Sequence, residues 1–218
     1  MDPDDPAYRG QAEYTPQLLA IYDRLVLGFM ARMVWRCPTP PIVERYRRLL
    51  GRRHLDVGPG TGYFLENSGL SPEAEVTLLD PNVDVLAHAA GRLADHEVIT
   101  VEANVLEPLP VTGPFDSAAL NYVLHCLPGP QRSKAAAIRN VAAVLAPDGV
   151  LFGGTVLGTS EPHTPQARMV LRVFNRQGGF DNLGDTVAGL RDILEESFHS
   201  VDVEVIGSLA HFTARRPR

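Results

Sequence analysis

The sequence predicts an α/β fold built on a doubly wound, mainly parallel sheet of seven strands. Two observations predict it. Short apolar runs alternate with segments of helical periodicity between residues 53 and 156, and the first of these runs leads directly into a glycine-rich turn. Such alternation is typical of a parallel sheet that is covered by helices on both faces. The chain has 218 residues, of which 44% are hydrophobic, and is therefore long enough to bury the core of one such domain.

The predicted elements follow one another along the chain in a regular order. Apolar residues recur at three- and four-residue spacings from Pro16 to Met33, which predicts a helix that ends at the prolines around Pro38. A second helix is predicted at about 41–50. The predicted strands that follow are 53–57, 75–80, 97–102, 115–122 and 149–156, with helices at 62–69, 82–94, 131–146, 165–178 and 184–197. We therefore expect a disordered N-terminus (1–12), a helical segment (13–50) and a single α/β domain (51–218).

The C-terminal end of the chain departs from the parallel pattern. Residues 201–206 and 209–214 both alternate apolar and polar side chains, and only Gly207 and Ser208 separate them. Two residues are too few for the crossover that joins parallel strands. The sequence therefore predicts that an antiparallel hairpin completes the sheet.

Composition limits the environment and the partners that we expect. No apolar run approaches 18 residues and the N-terminus is acidic and proline-rich, so we expect no membrane span, no signal peptide and a cytoplasmic protein. The net charge of −6 disfavours nucleic acid as a partner. The two cysteines, Cys37 and Cys126, lie far apart in dissimilar contexts, which favours neither a disulfide nor a paired metal site.

The glycine-rich turn is the strongest indication of function. Strand residues 54–57 lead into Gly58-Pro59-Gly60-Thr61-Gly62. Glycine permits positive φ angles and close approach of a ligand to the backbone, and the helix that follows offers unpaired amides. The dinucleotide fingerprint G-x-G-x-x-G would place the third glycine one position later, and the Gly-Lys-Ser/Thr ending of a phosphate loop is absent. The turn therefore predicts a cofactor other than a dinucleotide.

At this turn the chain resembles the class I S-adenosylmethionine-dependent methyltransferases of the small-molecule type. The resemblance covers roughly residues 52–156, and five segments in the expected order carry it: Leu55-Asp56-Val57-Gly58-Pro59-Gly60-Thr61-Gly62, Leu78-Leu79-Asp80-Pro81-Asn82, Ala103-Asn104-Val105, Phe115-Asp116-Ser117-Ala118-Ala119-Leu120-Asn121 and Leu145-Ala146-Pro147-Asp148-Gly149-Val150-Leu151.

The resemblance implies S-adenosylmethionine as the cofactor and S-adenosylhomocysteine as its product. Nine residues are then expected to bind the cofactor: Asp56, Gly58, Gly60, Gly62, Asp80, Pro81, Asn104, Val105 and Asn121. The glycines would line its methionine part and Asp56 would orient its ammonium group. Asp80 would accept both ribose hydroxyl protons in charge-assisted hydrogen bonds. Asn104 stands where the family more often has aspartate, and its amide oxygen can still accept a hydrogen bond from adenine.

The residues of the reaction itself are harder to predict. In methyl transfer the cofactor supplies the electrophile, while the protein supplies alignment and, where needed, a base. His125, just after the fourth strand, is a candidate base, and the alternative is a histidine packed on the following helix. Tyr22 is a second catalytic candidate, because the N-terminal helices of many small-molecule members form a lid over the pocket.

Four further residues are expected to bind the acceptor, and for each a role in the core or at the surface is the alternative: Tyr14, Trp35, Arg36 and Phe174. No two histidines or carboxylates show the spacing of metal ligands, so we predict a metal-independent enzyme. A homodimer formed through the N-terminal helices is compatible with the sequence.

Three alternatives to a small-molecule methyltransferase differ in the features that they need. A methyltransferase acting on RNA or protein amino groups commonly has Asn-Pro-Pro-Tyr/Phe, whereas Tyr122 and Val123 follow Asn121 here. A nicotinamide-dependent reductase needs the later glycine and, in the short-chain type, Tyr-x-x-x-Lys, but Lys134 is the only lysine in the chain. A catalytically silent scaffold that binds the cofactor stays open. The sequence thus favours methyl transfer to oxygen, nitrogen or carbon of a small molecule.

Overall fold

A seven-stranded sheet organises the part of the chain that the computed structural model describes, residues 23–218. Its strands are β1 (Arg53–Val57), β2 (Glu75–Asp80), β3 (Glu97–Glu102), β4 (Phe115–Asn121), β5 (Leu145–Val156), β6 (Phe198–Ile206) and β7 (Leu209–Pro217). The spatial order is β3-β2-β1-β4-β5-β7-β6. Strands β1 to β5 pair in parallel, and β7 lies antiparallel between β5 and β6. The predicted fold class is confirmed. The predictions for residues 1–12, Tyr14 and Tyr22 lie outside the described residues.

Helices cover both faces of this sheet. A helix with π-type hydrogen bonding, here called the N-terminal helix, comes first at Asp23–Val34. The α-helices are α1 (Pro40–Leu49), α2 (Tyr63–Glu66), α3 (Val83–Arg92), α4 (Ala135–Ala142), α5 (Pro165–Gln177) and α6 (Val187–Glu195). None of the described helices has the length and the apolar character that crossing a membrane requires.

Alternating side chains of the strands supply two separate cores. Leu79 and Leu120 pack in the cluster that includes residues of α4 and α6. Their neighbours in sequence, Leu78 and Ala119, pack in the cluster that includes residues of α1, α3 and α5. Because successive strand residues point to opposite faces, a sheet with two buried faces needs continuous apolar runs of this kind.

The boundaries of several elements differ from the predicted ones. Strand β5 begins at Leu145 rather than at 149, because the pairing with β4 shifts between Phe115 and Ser117 and so accommodates the residues around Pro147. The predicted helix 131–146 is divided into a 3₁₀ turn, Gln131–Lys134, and the shorter helix α4. Helix α2 has only four residues, where 62–69 was expected.

The single lysine of the chain lies in the interior. The Nζ of Lys134 donates hydrogen bonds of 2.7 Å to the Oδ2 of Asp185 and to the carbonyl oxygen of Asp181. A buried charge is tolerated when an opposite charge and hydrogen bonds compensate its desolvation. These bonds join the 3₁₀ turn after β4 to the loop that precedes α6.

Candidate active site

The carboxyl ends of β1, β2 and β4 meet at one edge of the sheet and enclose a pocket. Seven of the residues predicted to bind the cofactor line it: Gly58, Gly60, Asp80, Pro81, Asn104, Val105 and Asn121. Asp56 and Gly62, the other two, are not part of the lining. The parallel register explains why segments that are distant in sequence converge here, since all of these strands end on the same side.

The three glycines of the turn have positive φ angles, of 67° at Gly58, 55° at Gly60 and 77° at Gly62. Their surroundings differ. A Cβ atom on Gly58 would lie 2.5 Å from the Cγ2 of Val123, and one on Gly62 would lie 3.2 Å from the Cα of Ala89. A Cβ atom on Gly60 would meet nothing within 4 Å. Gly58 and Gly62 therefore permit close packing of the turn, whereas Gly60 leaves open space in the pocket.

Asp56 lies directly behind the pocket wall and is 2% exposed. The hydroxyl of Tyr46, which does line the pocket, donates a hydrogen bond of 3.0 Å to the Oδ2 of Asp56. Burial, together with the neighbouring carboxylate, raises the pKa of Tyr46 well above its ordinary value. The Oδ1 of Asp56 is buried and has no hydrogen-bond partner among residues 23–218. A buried acceptor of this kind is normally satisfied by a donor.

Asp80, at the end of β2, and Asn104, just after β3, form a second side of the pocket. The amide of Asn82 donates a hydrogen bond of 2.8 Å to the Oδ1 of Asp80. Burial raises the pKa of Asp80 to about 7, and the bond from Asn82 opposes this rise. The Oδ1 of Asn104 accepts a 3.0 Å bond from the amide of Leu106. The carboxylate of Asp80 is thus buried at the pocket edge with one donor among residues 23–218, and it can accept more.

His125 does not line the pocket. It is 2% exposed, its Nδ1 accepts a 3.2 Å hydrogen bond from the amide of Val156, and its ring centroid lies 4.3 Å from that of Phe180. Burial, with a smaller contribution from the charge of Lys134, lowers the pKa of His125 to about 3. This placement favours the alternative of a packed histidine, and the role as a base stays a prediction.

The three predicted acceptor-binding residues in the described part of the chain, Trp35, Arg36 and Phe174, also lie away from the pocket lining. Trp35 and Phe174 pack against Phe180, with ring centroids 6.3 Å and 4.9 Å from it. Arg36 is exposed and has a φ angle of 52°. The acceptor roles of these three residues stay predictions.

The structure adds pocket residues that the sequence did not single out: Leu27, Tyr46, Tyr63, Phe64, Tyr122, Val123 and Cys126. The rings of Tyr46 and Phe64 stack at 5.5 Å, and those of Phe64 and Tyr122 at 6.3 Å. The position of Tyr122 just after Asn121 was the one available signal. Within residues 23–218, no group of three or more His, Cys, Asp or Glu side chains could hold a metal ion.

Comparison with known proteins decides the family. Residues 55–151 match a family described as a methyltransferase domain. The chain is 40% identical over 197 residues to demethylluteothin O-methyltransferase from Streptomyces thioluteus, covering 89% of this chain and 86% of the relative. The chain is a class I methyltransferase. It acts on small molecules with S-adenosylmethionine as its cofactor.

Two further comparisons agree with this assignment. The methyltransferase is 36% identical over 216 residues to the physcion biosynthesis cluster O-methyltransferase of Aspergillus chevalieri, covering 98% of this chain and 97% of the relative. Its fold is similar to that of the N-methyltransferase NodS from Bradyrhizobium japonicum WM9 in complex with S-adenosyl-L-homocysteine, with a TM-score of 0.68. That likeness covers 99% of this chain and 100% of NodS at 16% identity.

The pocket of the methyltransferase fits its cofactor in three respects. Open space lies beside the backbone of Gly60. The buried Oδ1 of Asp56 lacks a donor among the described residues, and the cofactor carries an ammonium group. Asp80 presents a buried carboxylate, which suits vicinal hydroxyls. These residues would hold the cofactor at the glycine turn, as the sequence predicts.

Proposed function

We propose that this methyltransferase transfers the methyl group to a hydroxyl oxygen of an uncharged, largely apolar small molecule. One observation carries the proposal: the described residues that line the pocket include no arginine, lysine or histidine, and Asp80 is their only carboxylate. A polyanion such as RNA needs basic side chains near its phosphates. An uncharged acceptor needs none.

The choice of oxygen rests on relatives. The two described above are named O-methyltransferases, as is a protein of Aspergillus niger that is 32% identical over 219 residues. Nitrogen is the second candidate, because a protein of Penicillium aethiopicum that is 34% identical over 186 residues is named an N-methyltransferase.

In the proposed in-line displacement, the protein holds the cofactor and aligns the acceptor with it. When bound, the cofactor supplies an electrophilic methyl group. Asp80 and the glycine turn would fix the cofactor from one side of the pocket. Leu27, Phe64 and Tyr122 present apolar surface on the lining, which excludes water and orients an apolar acceptor. Tyr122 holds its position with a φ angle of 60°, and strained backbone of this kind clusters at functional sites.

The test is a comparison of acceptors of matched size. The purified protein is incubated with S-adenosylmethionine that carries an isotopically labelled methyl group and with paired phenols, enols and amines, and the products are analysed by mass spectrometry. We expect label on oxygen. Label on amines alone, or on added RNA or protein, would contradict the proposal, and cofactor binding without any turnover would favour the silent scaffold.

The same assay tests metal independence. We expect the rate to stay unchanged after dialysis against EDTA and after readdition of Mg²⁺ or Zn²⁺. A rate that falls on chelation and returns with one of these ions would show that the reaction needs a metal.

A further inference from the structure

The N-terminal helix forms part of the pocket wall although it lies at the protein surface. Leu27, near its middle, lines the pocket and is 6% exposed. Leu25, Phe29 and Met33 of the same helix are exposed. One side of this helix therefore covers the cofactor site, while the other side faces outward.

Three charged residues and a threonine connect the first turn of this helix to the cofactor site. The Oδ1 of Asp23 accepts a 2.6 Å hydrogen bond from the Oγ1 of Thr61, and its Oδ2 lies 2.7 Å from the Nη2 of Arg92. Arg92 also donates to Thr61 at 3.2 Å, and its Nε lies 3.3 Å from the Oε2 of Glu66. We call these four residues, Asp23, Thr61, Glu66 and Arg92, the clasp.

The clasp includes a residue of the cofactor pocket itself. Thr61 lies between Gly60 and Gly62 in the glycine turn and lines the pocket. Arg92 is in the last turn of α3 and Asp23 is in the first turn of the N-terminal helix. The side chains of Asp23 and Arg92 are 21% and 23% exposed, so water screens this pair less than an exposed one.

The two ends of the N-terminal helix are held differently. Near its C-terminal end, Ala31 and Trp35 are buried, and the amide of Ser208 donates a 2.8 Å hydrogen bond to the carbonyl oxygen of Trp35. Thr39 donates a hydrogen bond to the carbonyl oxygen of Leu27. At the first turn, Asp23 bonds to Thr61 and Arg92 in the clasp.

We propose that Asp23 and Arg92 are positioning residues that hold the N-terminal helix closed over the cofactor and so limit how fast the demethylated cofactor leaves. Opening the clasp releases the first turn from Thr61 and so opens the pocket wall beside the glycine turn. The buried end at Trp35 stays in place. The proposal depends on cofactor binding and is independent of the acceptor.

The rate at which S-adenosylhomocysteine dissociates, measured by stopped-flow displacement, tests the clasp. Asp23→Asn removes the charge and keeps an acceptor for Thr61, and Arg92→Gln removes the other charge. We expect each variant to release the ligand about tenfold faster, since a charge-assisted contact is lost. The double variant should release it no faster than Arg92→Gln alone, because that change already breaks the pair with Asp23. The matched control is Arg52→Gln, which breaks an exposed ion pair with Glu75. This pair lies at the start of β1 and β2, whereas the pocket lies at their carboxyl ends.

Two further measurements separate this role from a general loss of structure. Hydrogen exchange of amides 24–30 should accelerate in Asp23→Asn, while the circular dichroism spectrum stays that of the parent. In the parent protein, dissociation should accelerate as NaCl is raised, and it should do so less in Asp23→Asn. Parental dissociation rates in both charge variants, or the same acceleration in Arg52→Gln, would overturn the proposal. A failure to methylate any acceptor would leave these binding measurements intact.

Discussion

The hydroxyl of Tyr46 donates a 3.0 Å hydrogen bond to the Oδ2 of Asp56 in the interior, directly behind the glycine turn. The bond links helix α1, which precedes the sheet, to the central strand β1. Because the Oδ1 of Asp56 has no donor among the described residues, Tyr46 is the main group that orients this carboxylate for a ligand.

We therefore predict that Tyr46→Phe weakens both folding and cofactor binding. The variant keeps the ring packing and leaves a buried carboxylate with one donor fewer, which should lower the free energy of unfolding by about 1–3 kcal/mol. Urea unfolding followed by the fluorescence of Trp35, the single tryptophan, measures this loss, and calorimetry with S-adenosylhomocysteine measures the affinity. Tyr63→Phe is the control for the unfolding measurement, since the Tyr63 hydroxyl makes no hydrogen bond within residues 23–218 that would be lost. Equal effects of both substitutions would argue against an orienting role for Tyr46.

Asp80 should make cofactor binding depend on pH. Its pKa in the ligand-free protein is raised to about 7 by burial, and the charged form is the better acceptor for ribose hydroxyls. Affinity for S-adenosylmethionine should therefore rise as the pH increases through about 7 and then level off. Calorimetry between about pH 6 and 8.5 measures this change. Asp80→Asn should bind more weakly and with a flat profile. A pH dependence that survives in Asp80→Asn would assign the titration to another group.

The raised pKa of Asp80 has the opposite effect on stability: as the pH rises, the affinity for the cofactor increases, whereas the ligand-free protein becomes less stable. The folded state keeps a proton on Asp80 up to about pH 7, whereas the unfolded chain releases it near 3.8. The unfolded state thus binds fewer protons in this window, so the contribution of Asp80 to stability decreases as the pH rises from 3.8 to 7. In urea unfolding, Asp80→Asn should lose this part of the pH dependence.

His125→Gln should separate a packing role from a catalytic one. A group with a pKa of about 3 is neutral throughout the ordinary assay range, so the shape of the pH–rate profile should be unchanged in the variant. The free energy of unfolding should fall by about 1–3 kcal/mol, because the amide of Val156 loses its acceptor. Since the folded pKa lies below 6.5, this stabilisation is present above pH 6.5 and is lost as the pH falls toward 3. Disappearance of the acidic limb, which is the fall in rate at low pH, would instead support His125 as the base.

The sequence predicted those parts of the site that depend on strand ends. Gly58, Asp80 and Asn121 each follow an apolar run, and parallel strands bring their carboxyl ends to one edge of the sheet. Order along the chain was therefore enough to place them together. The number of strands and the antiparallel hairpin followed from the periodicity, whereas the spatial order of the strands is a finding of the structure.

The sequence could not predict contacts that depend on how separate elements pack. Tyr46 enters the pocket because α1 lies across β1, and no local pattern distinguishes its ring from other buried side chains. His125 follows the correct strand, yet the 3₁₀ turn at Leu124–Cys126 takes it toward Phe180. The start of β5 was missed because Pro147 is typical of a turn, whereas here it lies in a bulge of the strand.

The burial of Lys134 makes this chain unusual as a target for amine chemistry. Its ammonium is the only side-chain amine, and it is held inside by Asp185 and the carbonyl of Asp181. An acylating reagent can reach it only when the surrounding structure opens. The rate of acylation at this one position would therefore report the rate at which the folded domain opens, without an engineered probe.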